Sequence, residues 1–159
     1  RGTRLLLANL PVTEGRCVDL GCGNGVLGIA VGRESPQSEV LFIDESHLAV
    51  ASARAGWRAN DLESERAQFR ANDCLTGIEP ESADLILCNP PFHQGQSMGD
   101  QIAWRMLTQA RSVLRPGGEL RVVGNRHLGY HVKLARIFGR CETIASDSKF
   151  VVLSARRPL

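Results

Sequence analysis

The chain has 159 residues, 43% hydrophobic and 23% charged, with 19 Lys and Arg set against 17 Asp and Glu for a formal net charge of +2. That length suits one domain, residues 1–159, able to bury roughly 70% of its unfolded surface with no disulfide or metal staple. The small positive charge permits an anionic partner without showing one, so a nucleic-acid role has to be argued from a site.

No apolar stretch approaches the roughly 18 residues of a membrane span, and no charged and then apolar leader opens the chain. No membrane role is expected. The chain begins at Arg1, already inside "RGTRLLLANLP", so a preceding domain is expected. The five cysteines, Cys17, Cys22, Cys74, Cys88 and Cys141, are scattered and form no C-x-x-C pair. They read as reduced thiols of a cytoplasmic protein. With His47, His93, His127 and His131 they give no metal-ligand spacing, so no metal is expected.

Short aliphatic runs alternate with segments of helical period, the pattern of a parallel sheet with crossover helices. In chain order the strands are expected at 17–21, 39–44, 67–71, 83–88, 118–124, 141–145 and 149–155. Helices are expected near 25–33, 47–60, 98–115 and 128–139. In 101–114, Ile102, Ala103, Met106, Leu107, Ala110, Val113 and Leu114 mark one helical face, read as core. "RPGGEL" then stops the helix. The last two strands are joined by a stretch too short for a crossover helix, so they pair as an antiparallel hairpin. The fold class is α/β, a Rossmann-like, mostly parallel sheet with a reversed last strand and helices on both faces.

"VDLGCGNGVLGIA", residues 18–30, runs from a strand through Gly21, Gly23, Gly25 and Gly28 into a helix. Glycines there let the backbone approach a ligand, and the helix N-terminus offers free N–H groups. Gly23-x-Gly25-x-x-Gly28 fits a dinucleotide fingerprint, with Asp44 about 20 residues on to take ribose hydroxyls. Asp19 argues against a pyrophosphate. A carboxylate at the strand end attracts a ligand carrying a sulfonium and an ammonium, and S-adenosylmethionine is such a ligand. Asp44 or Ser46 could equally cap the next helix. Asp73, in "AND" at the end of the third strand, suits an adenine amino group, or else is a solvated turn residue.

In "LILCNPPFHQG", residues 85–95, a buried strand ends against Asn89, Pro90, Pro91 and Phe92. The prolines have no N–H and fix φ, so the chain must leave the sheet there and project Asn89 and Phe92 from a stiff corner. The Asn89 side-chain oxygen and the Pro90 carbonyl can each accept an N–H of an exocyclic amino group. That favours a pyramidal nitrogen whose lone pair points at an incoming methyl group. Phe92 can stack on the base. His93 reads as an ordinary loop residue.

Asp19, the loop glycines, Asp44, Asp73 and Asn89-Pro90-Pro91-Phe92 together resemble the class I S-adenosylmethionine-dependent methyltransferases that modify amino groups. More narrowly, "VDLGCGNGVLGIA", "FIDES", "LCNPPFHQG", "GNRHL" and "KFVVL" resemble the catalytic half of the bacterial ribosomal RNA guanine-N2 methyltransferases. The large-subunit (23S) branch is nearest, and the small-subunit (16S) branch is the nearest alternative. The resemblance implies a seven-stranded sheet and S-adenosylmethionine as cofactor. It implies cofactor contacts from Asp19, Gly21, Gly23, Gly25, Asp44, Asp73 and Asn89, and catalytic roles for Asn89, Pro90 and Phe92. It also implies a ribosomal RNA substrate and an N-terminal half that aids RNA binding.

A guanine in this pocket must be single-stranded or flipped out. Arg126, His127, His131, Lys133, Arg136 and Arg140 crowd the segment after the fifth strand, and Arg126 and His127 are expected beside the Asn89 corner. The later ones read as a solvated helix face. Rival acceptors are a glutamine amide of a protein and adenine N6. A rival class is a non-catalytic RNA-binding copy of the fold.

Overall fold

Each apolar run forms a strand, and each periodic segment a helix. In chain order the elements are α1 (Gly2–Leu7), β1 (Arg16–Leu20), α2 (Val26–Glu34), β2 (Glu39–Asp44), α3 (His47–Ala59), β3 (Ala67–Ala71), β4 (Ala83–Cys88), α4 (Ser97–Val113), β5 (Leu114–Asn125), α5 (Tyr130–Phe138), β6 (Glu142–Ser146) and β7 (Phe150–Arg156). The computed structural model describes residues 2–90 and 97–159.

The seven strands make one sheet in the order β3-β2-β1-β4-β5-β7-β6. β1 to β5 run parallel, and β7 is antiparallel to both β5 and β6. The chain therefore reverses its order at β1 and β4, the point where an open α/β sheet leaves a crevice outside its strand ends.

Both faces of the sheet are covered, which is why the strands read as nearly unbroken apolar runs. Val18, Leu20, Leu41, Ile43, Ile86 and Cys88 pack with Met106, Leu107 and Ala110 of α4 and with Leu134 and Phe138 of α5. Cys17, Val40, Phe42, Leu85 and Leu87 face Leu6 of α1, Leu27, Ile29 and Val31 of α2, and Ala53 and Trp57 of α3. The alternation along β1 puts Asp19 on this second face.

Two features depart from the expected elements. α1 was not expected, because six residues are too few to show a helical period. Packing sustains it: Leu6 is fully buried, and a Cβ on Gly2 would stand 3.3 Å from Val123 and 3.4 Å from Phe150. β5 also starts at Leu114 and not at Gly118. Its register against β4 jumps from Ala83↔Leu114 to Leu85↔Glu119, so that four residues, Arg115 to Gly118, stand opposite Asp84 alone. Gly117 takes φ +83° there, and its N–H donates to the Arg157 carbonyl at 2.8 Å, so the proline-glycine stop is absorbed into the sheet edge.

Candidate active site

Strand register places the chemistry. Leu20 pairs with Ile43 on one side and with Cys88 on the other, so Gly21, Asp44 and Asn89 leave the sheet as a row along one edge. Asp44 pairs with Ala71, which brings Asn72 and Asp73 to the same edge.

The glycine loop is held by its own backbone and by two carboxylates. The Gly21 and Cys22 N–H groups both donate to the Ile43 carbonyl, at 2.8 and 2.9 Å. Gly25, at φ +84°, starts α2 with no side-chain cap. Asp19 supplies what the helix end lacks, since its Oδ2 accepts the Gly28 N–H at 2.9 Å. Its Oδ1 is buried and has no hydrogen-bond partner among the described residues. Burial pushes the Asp19 carboxyl up to about 7, the Gly28 bond opposes the rise, and the nearby Asp44 charge adds to it.

Asp44 is half-buried and uses both oxygens: Oδ2 accepts the Gly23 N–H and Oδ1 the Ser46 N–H, each at 3.0 Å. The cap of α3 is Ser46, whose hydroxyl accepts from the Ala49 N–H at 3.1 Å. Asp44 thus ties the glycine loop to the end of β2. Each oxygen keeps lone pairs for a further donor.

Asp73 is held otherwise than a free acceptor would be. Arg105 of α4 grips it with two bonds, at 3.0 and 2.8 Å, which hold its carboxyl below the ordinary range. Any further donor has to share those oxygens with the guanidinium. Arg105 carries no mark in the sequence beyond its neighbours on an exposed helix face.

A cavity of about 270 Å³ lies along the edge, lined by Leu20, Gly21, Ile43, Asp44, Glu45, Ser46, Asn72, Cys74 and Met106. Sequence reasoning reached Gly21 and Asp44 but not Glu45, Asn72, Cys74 or Met106 as lining. Met106 was assigned to the core, and it is core, 5% exposed, with its sulfur 3.3 Å from the Cys88 Sγ. The tip of the core stripe is also a cavity wall. Burial pushes the Cys22 thiol up to about 12 and raises those of Cys74 and Cys88, so these sulfurs are neutral packing groups, not nucleophiles.

At the β4 corner the Asn89 Nδ2 donates to the Thr3 hydroxyl of α1 at 2.7 Å. That bond uses one of the two amide N–H groups, and among the described residues Oδ1 accepts no hydrogen bond. Pro90 follows directly. Pro91, Phe92, His93, Gln94 and Gly95 lie outside the described residues, and with them the expected stacking role of Phe92.

The basic segment divides. Arg126 and His127 emerge at the end of β5, both exposed, with an Arg126 Nη1 donating to the Asp147 carbonyl at 3.0 Å. His131, Arg136 and Arg140 are exposed on and after α5. Lys133 is not part of a solvated face: it is 8% exposed, bonds Asp100 of α4 at 2.6 Å and sits over Trp104 and Tyr130. It fastens α5 to α4.

The residues fit S-adenosylmethionine on three counts. A buried Asp19 oxygen, unpartnered among the described residues, offers a site for a cation. A half-buried Asp44 keeps acceptor capacity beside the cavity. Gly23, at φ +54°, has no atom within 4 Å of where a Cβ would lie, so its backbone is open to close approach.

A seven-stranded sheet with this order, one antiparallel strand and helices on both faces is the class I methyltransferase fold. The chain belongs to the methyltransferase small domain family, whose model matches residues 1–154. It is 58% identical over 156 residues to the ribosomal RNA large subunit methyltransferase G of Streptomyces coelicolor, covering 97% of this chain and 41% of that protein. To the protein of the same name from Shewanella amazonensis it is 53% identical, again covering 97% and 41%. Among solved structures it is similar to the T. thermophilus 16S rRNA N2 methyltransferase RsmC in complex with AdoMet and guanosine. The TM-score there is 0.81 at 30% identity, covering 98% of this chain and 41% of that one. The chain spans about two fifths of the length of these relatives.

Proposed function

We propose that residues 1–159 form an S-adenosylmethionine-binding catalytic domain that transfers a methyl group to the exocyclic N2 amino group of a guanine in large-subunit ribosomal RNA, in the cytoplasm. The observation that carries this reading is Asn89. Its Nδ2 donates to Thr3, and its Oδ1, unbonded among the described residues, stands as an acceptor at the end of β4, in the same row as Gly21 and Asp44. The names of the relatives from Streptomyces coelicolor and Shewanella amazonensis support the large subunit as the source of the RNA.

The cofactor, when bound, supplies an electrophilic methyl group on a sulfonium. In this reading Asp19 and the backbone of Gly21, Gly23 and Gly25 hold its charged amino-acid end, Asp44 takes its ribose hydroxyls and Asp73 its adenine amino group. Asn89 lies between cofactor and base. A guanine amino nitrogen is a poor nucleophile because its lone pair is delocalised into the ring. The Asn89 Oδ1 and the Pro90 carbonyl accept its two N–H groups and hold it pyramidal, with the lone pair turned toward the methyl carbon. Fixing nitrogen and carbon in line supplies much of the remaining acceleration. No strong base is needed beforehand, since the nitrogen becomes acidic only after it carries the methyl group.

Phe92 stacks on the flipped base, which a duplex would otherwise hide. Arg126 and His127 reach the phosphates beside it. An N-terminal part of the kind the family resemblance implies supplies further RNA contacts in this reading. No metal has a part in this reading.

The experiment is to map methylated guanines in ribosomal RNA from a strain lacking the protein and from its parent. Loss of one N2-methylguanine from the large-subunit RNA, restored by the wild-type gene and not by an Asn89→Ala copy, is the expected result. Loss from the small-subunit RNA would move the substrate. An unchanged RNA with a hypomethylated glutamine would replace RNA by protein.

A further inference from the structure

An amide side chain has two ends of similar shape and opposite hydrogen-bonding character. Presented to an exocyclic amino group, the oxygen accepts an N–H, whereas the NH₂ end repels it. A grip built on asparagine works only if something decides which end faces the substrate. A neighbour bonded to one end leaves the other for the substrate.

At the β4 corner the neighbour is the Thr3 hydroxyl, which accepts from the Asn89 Nδ2 at 2.7 Å across 86 residues of sequence. We infer that Thr3 is the positioning residue of the amino-group grip: by holding the Asn89 amide nitrogen it fixes Oδ1 as the end offered to substrate. The inference rests on the function proposed above and adds a residue that none of the sequence motifs contains.

The fold holds Thr3 firmly enough for the task. Its neighbour Gly2 is buried so close to the sheet that a Cβ would meet Val123 and Phe150 at 3.3 and 3.4 Å. Leu6, one turn on, is fully buried in the layer with Cys17, Leu85 and Leu87. α1 is thereby pressed against the sheet, with its first turn beside the end of β4. Asn89 and Thr3 are both half-buried, so their bond is partly shielded from competing water. Without the hydroxyl the amide is free to turn over, and a fraction of molecules offers the wrong end.

Thr3→Val keeps the shape and removes the hydroxyl, Thr3→Ser keeps the hydroxyl, and Thr3→Ala serves if the valine variant fails to fold. Each is assayed for methyl transfer to unmethylated ribosomal RNA and for S-adenosylmethionine affinity by calorimetry. Thr3→Val is expected to lower kcat by about 10- to 100-fold, to leave cofactor affinity unchanged, and to be rescued by serine. A second readout needs no turnover. In protein labelled with ¹⁵N at asparagine side chains, the Asn89 amide signal, assigned by its loss in Asn89→Ala, should be protected from hydrogen exchange in the parent and in Thr3→Ser, and unprotected in Thr3→Val. An unprotected Asn89 amide in the parent overturns the inference. So does a valine variant with parental kcat, a serine variant as damaged as the valine one, or a loss that lies wholly in cofactor affinity. If Thr3→Val is fully active while Asn89→Ala is dead, only the role of Thr3 falls. If Asn89→Ala is itself active, the amino-group grip falls.

Discussion

The Oδ2 of Asp44 accepts the backbone N–H of Gly23 at 3.0 Å, so the carboxylate at the end of β2 holds the glycine loop as well as facing the cavity. Asp44→Ala removes a loop anchor and the proposed ribose acceptor together. Hydrogen bonds to a charged group contribute roughly 1.5–3 kcal/mol each, and about 1.4 kcal/mol is tenfold in affinity. The dissociation constant for S-adenosylmethionine is expected to rise at least tenfold. The fold survives, because Ser46 caps α3 by itself. An unchanged constant in calorimetry would leave Asp44 with the loop alone.

Asn89→Ala separates binding from chemistry. The side chain makes one described bond, to Thr3, and in the proposed mechanism its oxygen acts on the nucleophile and not on the cofactor. Methyl transfer is expected to fall by on the order of 100-fold or more, with cofactor affinity nearly intact. A fully active variant would remove the grip from the mechanism.

Asp19 makes both stability and cofactor binding depend on pH. Its carboxyl stands near 7 in the folded chain against an ordinary 3.8, chiefly through burial. Between those values the folded state keeps a proton that the unfolded chain has released, so the contribution of Asp19 to stability declines as pH rises from about 4 to 7. The carboxyls of Glu63, Asp73 and Asp147 are shifted the other way and act below that window. Denaturant melts at pH 5 and pH 8 are expected to show wild type losing stability across the interval relative to Asp19→Asn. A cationic ligand near the unpartnered Oδ1 favours the ionised form, so S-adenosylmethionine binding at pH 6 should release a proton. Calorimetry in two buffers of different ionisation enthalpy detects it. No proton release would place the cation away from Asp19.

Most of the architecture was legible because both faces of the sheet are covered. Apolar runs such as 39–44 and 83–88 have one reading when bounded by loops, and the short link between the last two strands allows only a hairpin. The candidate site was legible where chain-local chemistry marks it: Gly21, Gly23, Gly25 and Asp44 reach the expected edge through β1 and β2 alone, with Asp19 buried in β1 beneath the loop. Partnerships made across long separations were not. Thr3 meets Asn89 only because α1 packs back on the sheet, and Arg105 meets Asp73 only because α4 crosses over it. The helix too short to show a period carried the first of these, and a polar residue on a helix face carried the second. Lys133 was missed for the opposite reason, since nothing in its neighbours shows that Asp100, Trp104 and Tyr130 will surround it.

Two glycines of the same motif, Gly23 in the loop and Gly28 in α2, predict opposite failures. A Cβ on Gly28 would lie 2.4 Å from Phe42 Cε2 and 2.9 Å from Val40 Cγ1. Phe42 cannot yield, because it is fully buried, stacked on Phe69 at 4.9 Å and edge-on to Trp57 at 5.8 Å. Gly28→Ala therefore forces α2 away from β2, an overpacking that costs typically 1–3 kcal/mol. Gly23 has open space where its Cβ would stand but holds φ at +54°. Gly23→Ala bears only the left-handed backbone penalty, about 1–2 kcal/mol, and puts a methyl group where the backbone is open to a ligand. Thermal melts and cofactor titrations of both variants give the test. Gly28→Ala is expected to show the greater change in melting temperature and to bind S-adenosylmethionine normally once folded, while Gly23→Ala keeps most of its stability and loses affinity. The reverse assignment would mean that the ligand approaches the helix and not the loop.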